Sequence, residues 1–262
     1  IMSKIKLENL KKFCKEALVK AGMKEEYAEL TATVLSETAA FGTNSHGTKN
    51  LYNYIRKFRV GGIDIHAEPE VIAEGPSFAA MDAHKALGMI PSVKAMELAC
   101  EKAQKTGIAI VTVRNSCHFG AAGYYANIAA KKGLIGLSMS NVDPNMTLPT
   151  TDPSHYPEEG AMQPMAAHKG YGLAIMVELL TGILSGGCTS MGGDIVSWCF
   201  ELDKPNNVCH TFIAIDPTKF LGEEKVSDRV EDMAGILRAA PKAKGATRIY
   251  TPGEIEWTKH HV

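Results

Sequence analysis

The stretch I-A-I-V-T-V-R-N-S-C-H-F-G (108–120) decides the architecture. Residues 108–114 are apolar and β-branched, as a buried strand requires, and N-S-C-H-F-G then turns the chain with small and polar residues. A helix over 121–132 follows, and L-I-G-L-S-M-S (134–140) is again strand-like. A strand–helix–strand unit of this kind predicts a sheet with helices packed on it.

Upstream, L-E-N-L-K-K-F-C-K-E-A-L-V-K-A-G (7–22) places Leu7, Leu10, Phe13 and Leu18 near helical spacing, with Ser3 as a cap and Gly22 as the stop. Helices follow over about 24–40 and 49–59, then short strands at 71–73 and 78–82 and a helix over 91–105. Downstream, residues 141–160 hold four prolines and no periodicity, so they read as a loop. G-Y-G-L-A-I-M-V-E-L-L-T-G-I-L-S-G-G (170–187) predicts an apolar, largely buried helix closed by a glycine pair, followed by a strand at 210–216 and a helix at 231–240. The chain divides into a helical N-terminal part (1–68), a sheet-containing part (69–216) and a C-terminal helix and tail (217–262) that packs back on the N-terminal part. No internal repeat marks a solenoid.

The net charge of -1 supplies no global field for nucleic acid or an anionic membrane. No apolar run reaches the length of a membrane span, and I-M-S-K-I-K lacks a signal-peptide core. Six cysteines without a C-x-x-C pair read as reduced thiols, which fits a cytoplasmic protein.

No G-x-G-x-x-G follows a strand and no G-x-x-x-x-G-K-[ST] occurs, which excludes a conventional Rossmann domain or P-loop. Three histidines sit in glycine-flanked turns: His46 in S-H-G, His118 in C-H-F-G and His168 in H-K-G-Y-G. A histidine can exchange a proton as a carbonyl and an alcohol interconvert, and neighbouring glycines admit a ligand. Each motif alone serves turn capping equally well. Metal-ligand spacing such as H-x-x-x-H is absent, and His260 and His261 read as a solvated tail. Lys169, at the start of the apolar helix, adds a cation to the positive end of the helix dipole, where phosphate or carboxylate binds. Y-T-P-G-E (250–254) is by itself an ordinary turn.

Taken in order, T-N-S-H-G (43–47), G-I-A-I-V-T-V-R-N-S-C-H-F-G-A-A-G-Y-Y-A (107–126), I-G-L-S-M-S-N-V-D-P (135–144), T-T-D-P (150–153), H-K-G-Y-G-L-A-I-M-V-E-L-L-T-G-I-L-S-G (168–186) and Y-T-P-G-E (250–254) resemble the type 2 malate/L-lactate dehydrogenase family. That family also contains ureidoglycolate dehydrogenases, sulfolactate dehydrogenases and diketogulonate reductases. The resemblance implies a non-Rossmann NAD(P)-binding α/β fold with a mixed sheet, and a cytoplasmic homodimer using NAD or NADP on a small 2-hydroxy or 2-oxo acid. Malate or lactate comes first, with ureidoglycolate as the alternative; a non-catalytic dinucleotide-binding relative is the rival reading. By motif match, His118 exchanges the proton with His46 as its partner, and His168, Lys169, Pro252, Gly253 and Glu254 contact the dinucleotide.

Two departures stand out. Where the family carries an arginine after S-H-G-x-x, a bidentate clamp for the substrate carboxylate, this chain has Asn50. Lys49 or Arg56 is then the cation available to the substrate, beside the aromatic Tyr54. Second, M-T-L-P (146–149) joins directly onto T-T-D-P, where the family carries a further block that serves the cofactor site and the sheet. The intact flanking motifs read as a segment left out between Pro149 and Thr150 rather than a shortened protein.

Overall fold

A computed structural model describes residues 5–143, 164–222 and 225–260. The proline-rich stretch beyond Asp143, with T-T-D-P (150–153), lies outside the described residues, as does Ser3.

Three helices open the chain: α1 (Leu7–Lys20), α2 (Glu25–Ala40) and α3 (Leu51–Arg59), the last entered by a 3-10 turn at Thr48–Asn50. Lys6, in an extended conformation, occupies the cap position of α1 expected for Ser3, and Glu8 in the first turn complements the helix dipole instead. Gly22 (φ 102) ends the excursion as expected. The buried stripe of α1 is Cys14 and Leu18; Phe13, expected on it, is 62% exposed. Cys14 and Leu18 sit at i and i+4, while Phe13 points about 100° away from Cys14 around the helix.

The rest is built on a five-stranded sheet of β1 (Glu70–Gly75), β2 (Phe78–Asp82), β3 (Ile108–Ser116), β4 (Ile135–Ser140) and β5 (Val208–Ile215), in the order β1-β2-β3-β5-β4. β2 and β3 run parallel, joined by α4 (Met89–Thr106); the other neighbours are antiparallel. β3, α5 (Ala122–Ala130) and β4 form the expected strand–helix–strand unit, but its strands are not neighbours. β5 fills the gap between them, with Ile213 paired to Ile110 on one side and Leu137 on the other. Its first five residues are all buried, so it belongs at the centre of the sheet.

Ala109, Val111 and Val113 of β3 alternate onto one face and meet Ala95, Met96, Ala99 and Ala103 of α4. The same core runs without a break into Cys14, Leu18, Tyr27 and Leu35 of the N-terminal helices. At the C-terminus, α7 (Thr218–Leu221) and α8 (Val226–Ala239) precede α9 (Glu254–His260), whose Trp257 packs edge-on against Phe41 at 5.3 Å. No helix among the described residues is long and apolar enough to cross a membrane.

α6 (His168–Glu178) runs on through a wider π turn at Leu179–Ile183, as expected in extent but not in burial. Leu173, Leu179, Ile183 and Leu184 are each more than half exposed, and α6 has no buried residue. The segment meets the sheet through small and polar groups: Thr181 and Gly182 are buried, and the Thr211 hydroxyl donates to the Leu180 carbonyl at 2.5 Å. Its apolar flank is left outward.

Gly88, at the cap of α4, seats the turn that carries His118. A Cβ there would lie 2.0 Å from the Cys117 carbonyl oxygen and 2.9 Å from that of His118, so only glycine permits this approach. Gly88→Ala should destabilise the protein by about 1–3 kcal/mol, the usual cost of overpacking, in a denaturant melt. An unchanged midpoint would show that the two backbones do not touch.

Candidate active site

β3 leaves the sheet through a bulge. Its register with β5 shifts between Val113 and Ser116, and Asn115 takes a left-handed conformation (φ 52) that asparagine tolerates. Asp82 at the end of β2 holds this corner: its carboxylate accepts from the Asn115 amide at 2.8 Å, Arg114 Nε at 2.9 Å and the His84 N–H at 2.9 Å. Burial pushes the Asp82 pKa up, but the His84 N–H, Asn115 and Arg114 together outweigh it and leave the carboxyl below its usual range. The corner delivers Cys117 and His118 inward.

His118 is held on one ring face, at Nδ1 and at its backbone. Its N–H donates to Asn206 Oδ1 at 2.9 Å, and its ring stacks on Trp198 at 4.4 Å between centroids. Nδ1 lies 2.6 Å from the hydroxyl of the buried Tyr54 and 3.4 Å from the Gly120 N–H, so Nε2 is the nitrogen left for a substrate. The Tyr54 hydroxyl can donate or accept, and so serves either imidazole tautomer. Burial, reinforced by the nearby His46 and His210, pushes the His118 pKa down to about 3, which keeps the ring neutral at physiological pH.

His46 faces it at 5.4 Å between ring centroids. The loop after α2 brings it there, with Ser45 Oγ at 2.9 Å from its Nδ1, and like His118 it is partly exposed. Asn50 supports this loop: its amide donates to the Ser45 carbonyl at 2.8 Å. The residue in the expected arginine position is therefore spent on positioning His46. His210 of β5 lies beneath His118, fully buried, with Nε2 3.1 Å from the Cys117 carbonyl and Nδ1 2.9 Å from Ser140 Oγ. Burial takes its pKa to about 3 as well.

The two histidines open onto a cavity of about 460 Å³ shared with Ser140, Asn141, Asp143 and Trp198. That volume lies in the range of small-molecule sites, ~300–1,000 Å³.

Of the other residues singled out from sequence, Tyr54 joins the site and the remaining two substrate candidates do not. α3 turns Tyr54 inward, and a residue two positions on points to the opposite side, so Arg56 is exposed with its guanidinium 5.6 Å from the Tyr52 ring. Lys49 is likewise exposed. His168 and Lys169 stand exposed at the start of α6, and no described hydrogen bond or ring contact joins them to His46 or His118. Gly253 lines a second concavity of about 590 Å³ with Phe41, Tyr124 and Trp257, while Pro252 is exposed. Glu254 closes the T-P-G-E turn as half of a capping box, its carboxylate accepting from the Thr251 N–H at 2.9 Å and paired with Arg248.

Sequence reasoning missed Trp198, Asn206, Ser140, Asn141 and Lys57. Trp198 is one of two tryptophans and lies in S-W-C-F (197–200), an apolar patch within an otherwise turn-like stretch, which was the one available signal.

A family model described as malate/L-lactate dehydrogenase matches residues 5–149 and 147–261. The malate dehydrogenase of Pyrococcus abyssi is 32% identical over 96% of this chain and 86% of its own. L-sulfolactate dehydrogenase of Methanocaldococcus jannaschii is 29% identical over 96% of this chain and 89% of its own. The solved structure of malate dehydrogenase from Pyrococcus horikoshii OT3 superposes with a TM-score of 0.90 at 31% identity, covering 99% of this chain and 88% of that one. The alignment with the P. abyssi protein runs over 318 positions, more than the 262 residues of this chain.

Two histidines held near pKa 3 set a pH dependence of stability. Their folded values lie below the unfolded value of ~6.5, so the unfolded chain binds up to two more protons between these limits. Stability from this source is complete above about pH 6.5 and is lost as pH falls towards 3. Denaturant titrations from pH 7 to 4 should show His210→Gln with a shallower decline than wild type, whatever its absolute stability. Equal slopes would mean that His210 is not held neutral.

Proposed function

Because the chain belongs to the malate/L-lactate dehydrogenase family, we propose that it is an NAD(P)-dependent dehydrogenase of a small 2-hydroxy or 2-oxo acid, with malate or lactate as substrate. The observation that carries the reading is the pair His118 and His46, 5.4 Å apart, at a cavity large enough for an acid and a nicotinamide ring.

When bound, the nicotinamide supplies the hydride acceptor or donor. The protein's own part is proton handling. In the oxidising direction the neutral His118 takes the hydroxyl proton at Nε2, while Tyr54 accepts from the Nδ1 side and steadies the charged ring. His46, 5.4 Å away between ring centroids and partly exposed, passes the proton on. In the reducing direction the same path runs backwards. Trp198 stacked on His118 fixes the plane of the ring and so the direction of Nε2.

The reading gives His168, Lys169 and the turn Pro252–Glu254 to the dinucleotide. Lys169 at the positive end of α6 suits its phosphates, and the aromatic concavity at Gly253 suits a flat ring. Lys49 and Arg56 remain in it as substrate cations only through movement of their exposed side chains towards the cavity. The two-piece family match, meeting at 147–149, supports a further segment between Pro149 and Thr150 that completes the cofactor site. The exposed apolar flanks of α6 and α8 suit a homodimer, and six free thiols suit the reducing cytoplasm.

Mixing the protein with NADH or NADPH and a panel of 2-oxo acids should consume absorbance at 340 nm. No turnover with cofactor binding retained would make it a binding protein instead. His118→Ala should lower kcat by ~10²–10⁴-fold, the range for losing an acid/base group, and leave cofactor binding nearly intact. Should His46→Ala alone behave this way, the roles of the two histidines are exchanged.

A further inference from the structure

We propose that Lys57 is a positioning residue for proton exchange at His118: it tethers the segment 194–207 shut over the imidazole. The proposal rests on the dehydrogenase reading for its catalytic consequence, but not for the tether itself.

Lys57 lies three residues after Tyr54 on α3 and is fully buried. Its Nζ donates to two backbone carbonyls, Glu201 at 2.8 Å and Lys204 at 2.6 Å. Burying an ammonium group is costly even when it is hydrogen-bonded, and a surface lysine would avoid that cost. Here the charge is placed under a stretch, 194–207, that has no helix or strand of its own. The packing is as close as the hydrogen bonding. A Cβ at Gly62, just after α3, would lie 2.1 Å from the Leu202 carbonyl oxygen and 2.9 Å from that of Lys204.

The same stretch reaches His118 by two routes. Trp198 stacks on the imidazole at 4.4 Å and on Tyr54 at 5.0 Å. Asn206 accepts from the His118 N–H, while its own amide donates to Val196 at 2.5 Å and closes the base of the loop with Asn207, which donates to Asp194 at 3.1 Å. α3 thus grips the imidazole twice. Tyr54 holds Nδ1 directly, and Lys57 holds the backbone three and six residues beyond the Trp198 that covers the ring. Without the ammonium, residues 201–204 keep no charged anchor to α3 among the described residues, and Trp198 can swing from the histidine.

The test compares Lys57→Met, which keeps the stem and loses the donors, with Lys57→Arg, which keeps donors, in the full chain. Acrylamide quenching of Trp198 is read as the difference between each protein and its Trp198→Phe version, since Trp257 is the other tryptophan. Lys57→Met should raise Trp198 quenching and lower kcat on the order of 10²-fold with the KM for cofactor little changed, as misplacement of a catalytic group does. Lys57→Arg should restore most of both. A folded Lys57→Met protein with wild-type quenching overturns the tether, whether or not kcat falls. If Lys57→Met does not fold, Gly62→Ala provides the second route: its Cβ should push residues 202–204 away and raise the same quenching, and no change there also overturns the proposal. Should wild type turn over no 2-oxo acid, the dehydrogenase reading fails, while the quenching result still decides the tether.

Discussion

An imidazole packed as closely as His118 needs neighbours on several sides, and the elements that supply them come from across the chain. Tyr54 arrives from α3, Gly88 from the cap of α4, Trp198 and Asn206 from the segment before β5. None of these contacts is local in sequence except the one to Gly120. The Asp82 corner explains how β3 can supply the histidine at all: three hydrogen bonds to one carboxylate stabilise a left-handed asparagine where the strand would otherwise continue. The fold is organised so that one strand end becomes a site.

That dependence also explains the neutral state of the ring. Trp198 covers one face of the ring, and beneath it lies a core in which His210 is itself buried and neutral. The ring's own hydrogen-bond partners, a phenol and a backbone N–H, carry no negative charge that would stabilise an imidazolium. His46, with Ser45 beside it and Asn50 beneath its loop, provides the other end of the pair. Asn50 thus does local work where relatives are expected to present an arginine to the substrate, which makes this position the one most informative about which acid is bound.

Strand β3, its helix and strand β4 were legible because their periodicities are strong and their glycines punctuate them. Both histidines were legible as residues but became a pair only through the order of motifs along the chain. The insertion of β5 between β3 and β4 could not be read, since strand order is decided by burial on both faces and not by adjacency in sequence. The apolar run at 170–184 looked like core because hydrophobicity marks what is apolar, not what covers it. Lys57 was invisible for the opposite reason: lysine is among the residues least often buried, so its charge read as surface.

Proton exchange at this site depends on a His118 that stays neutral with Nδ1 engaged by Tyr54. Following the ¹⁵N resonances of the histidine side chains by NMR from pH 8 to pH 5, with His118 assigned by its loss in His118→Asn, tests this directly. The His118 nitrogens should not titrate over this range, and Tyr54→Phe should shift Nδ1 more than Nε2. A His118 that protonates with a midpoint near its ordinary value would contradict this neutral state.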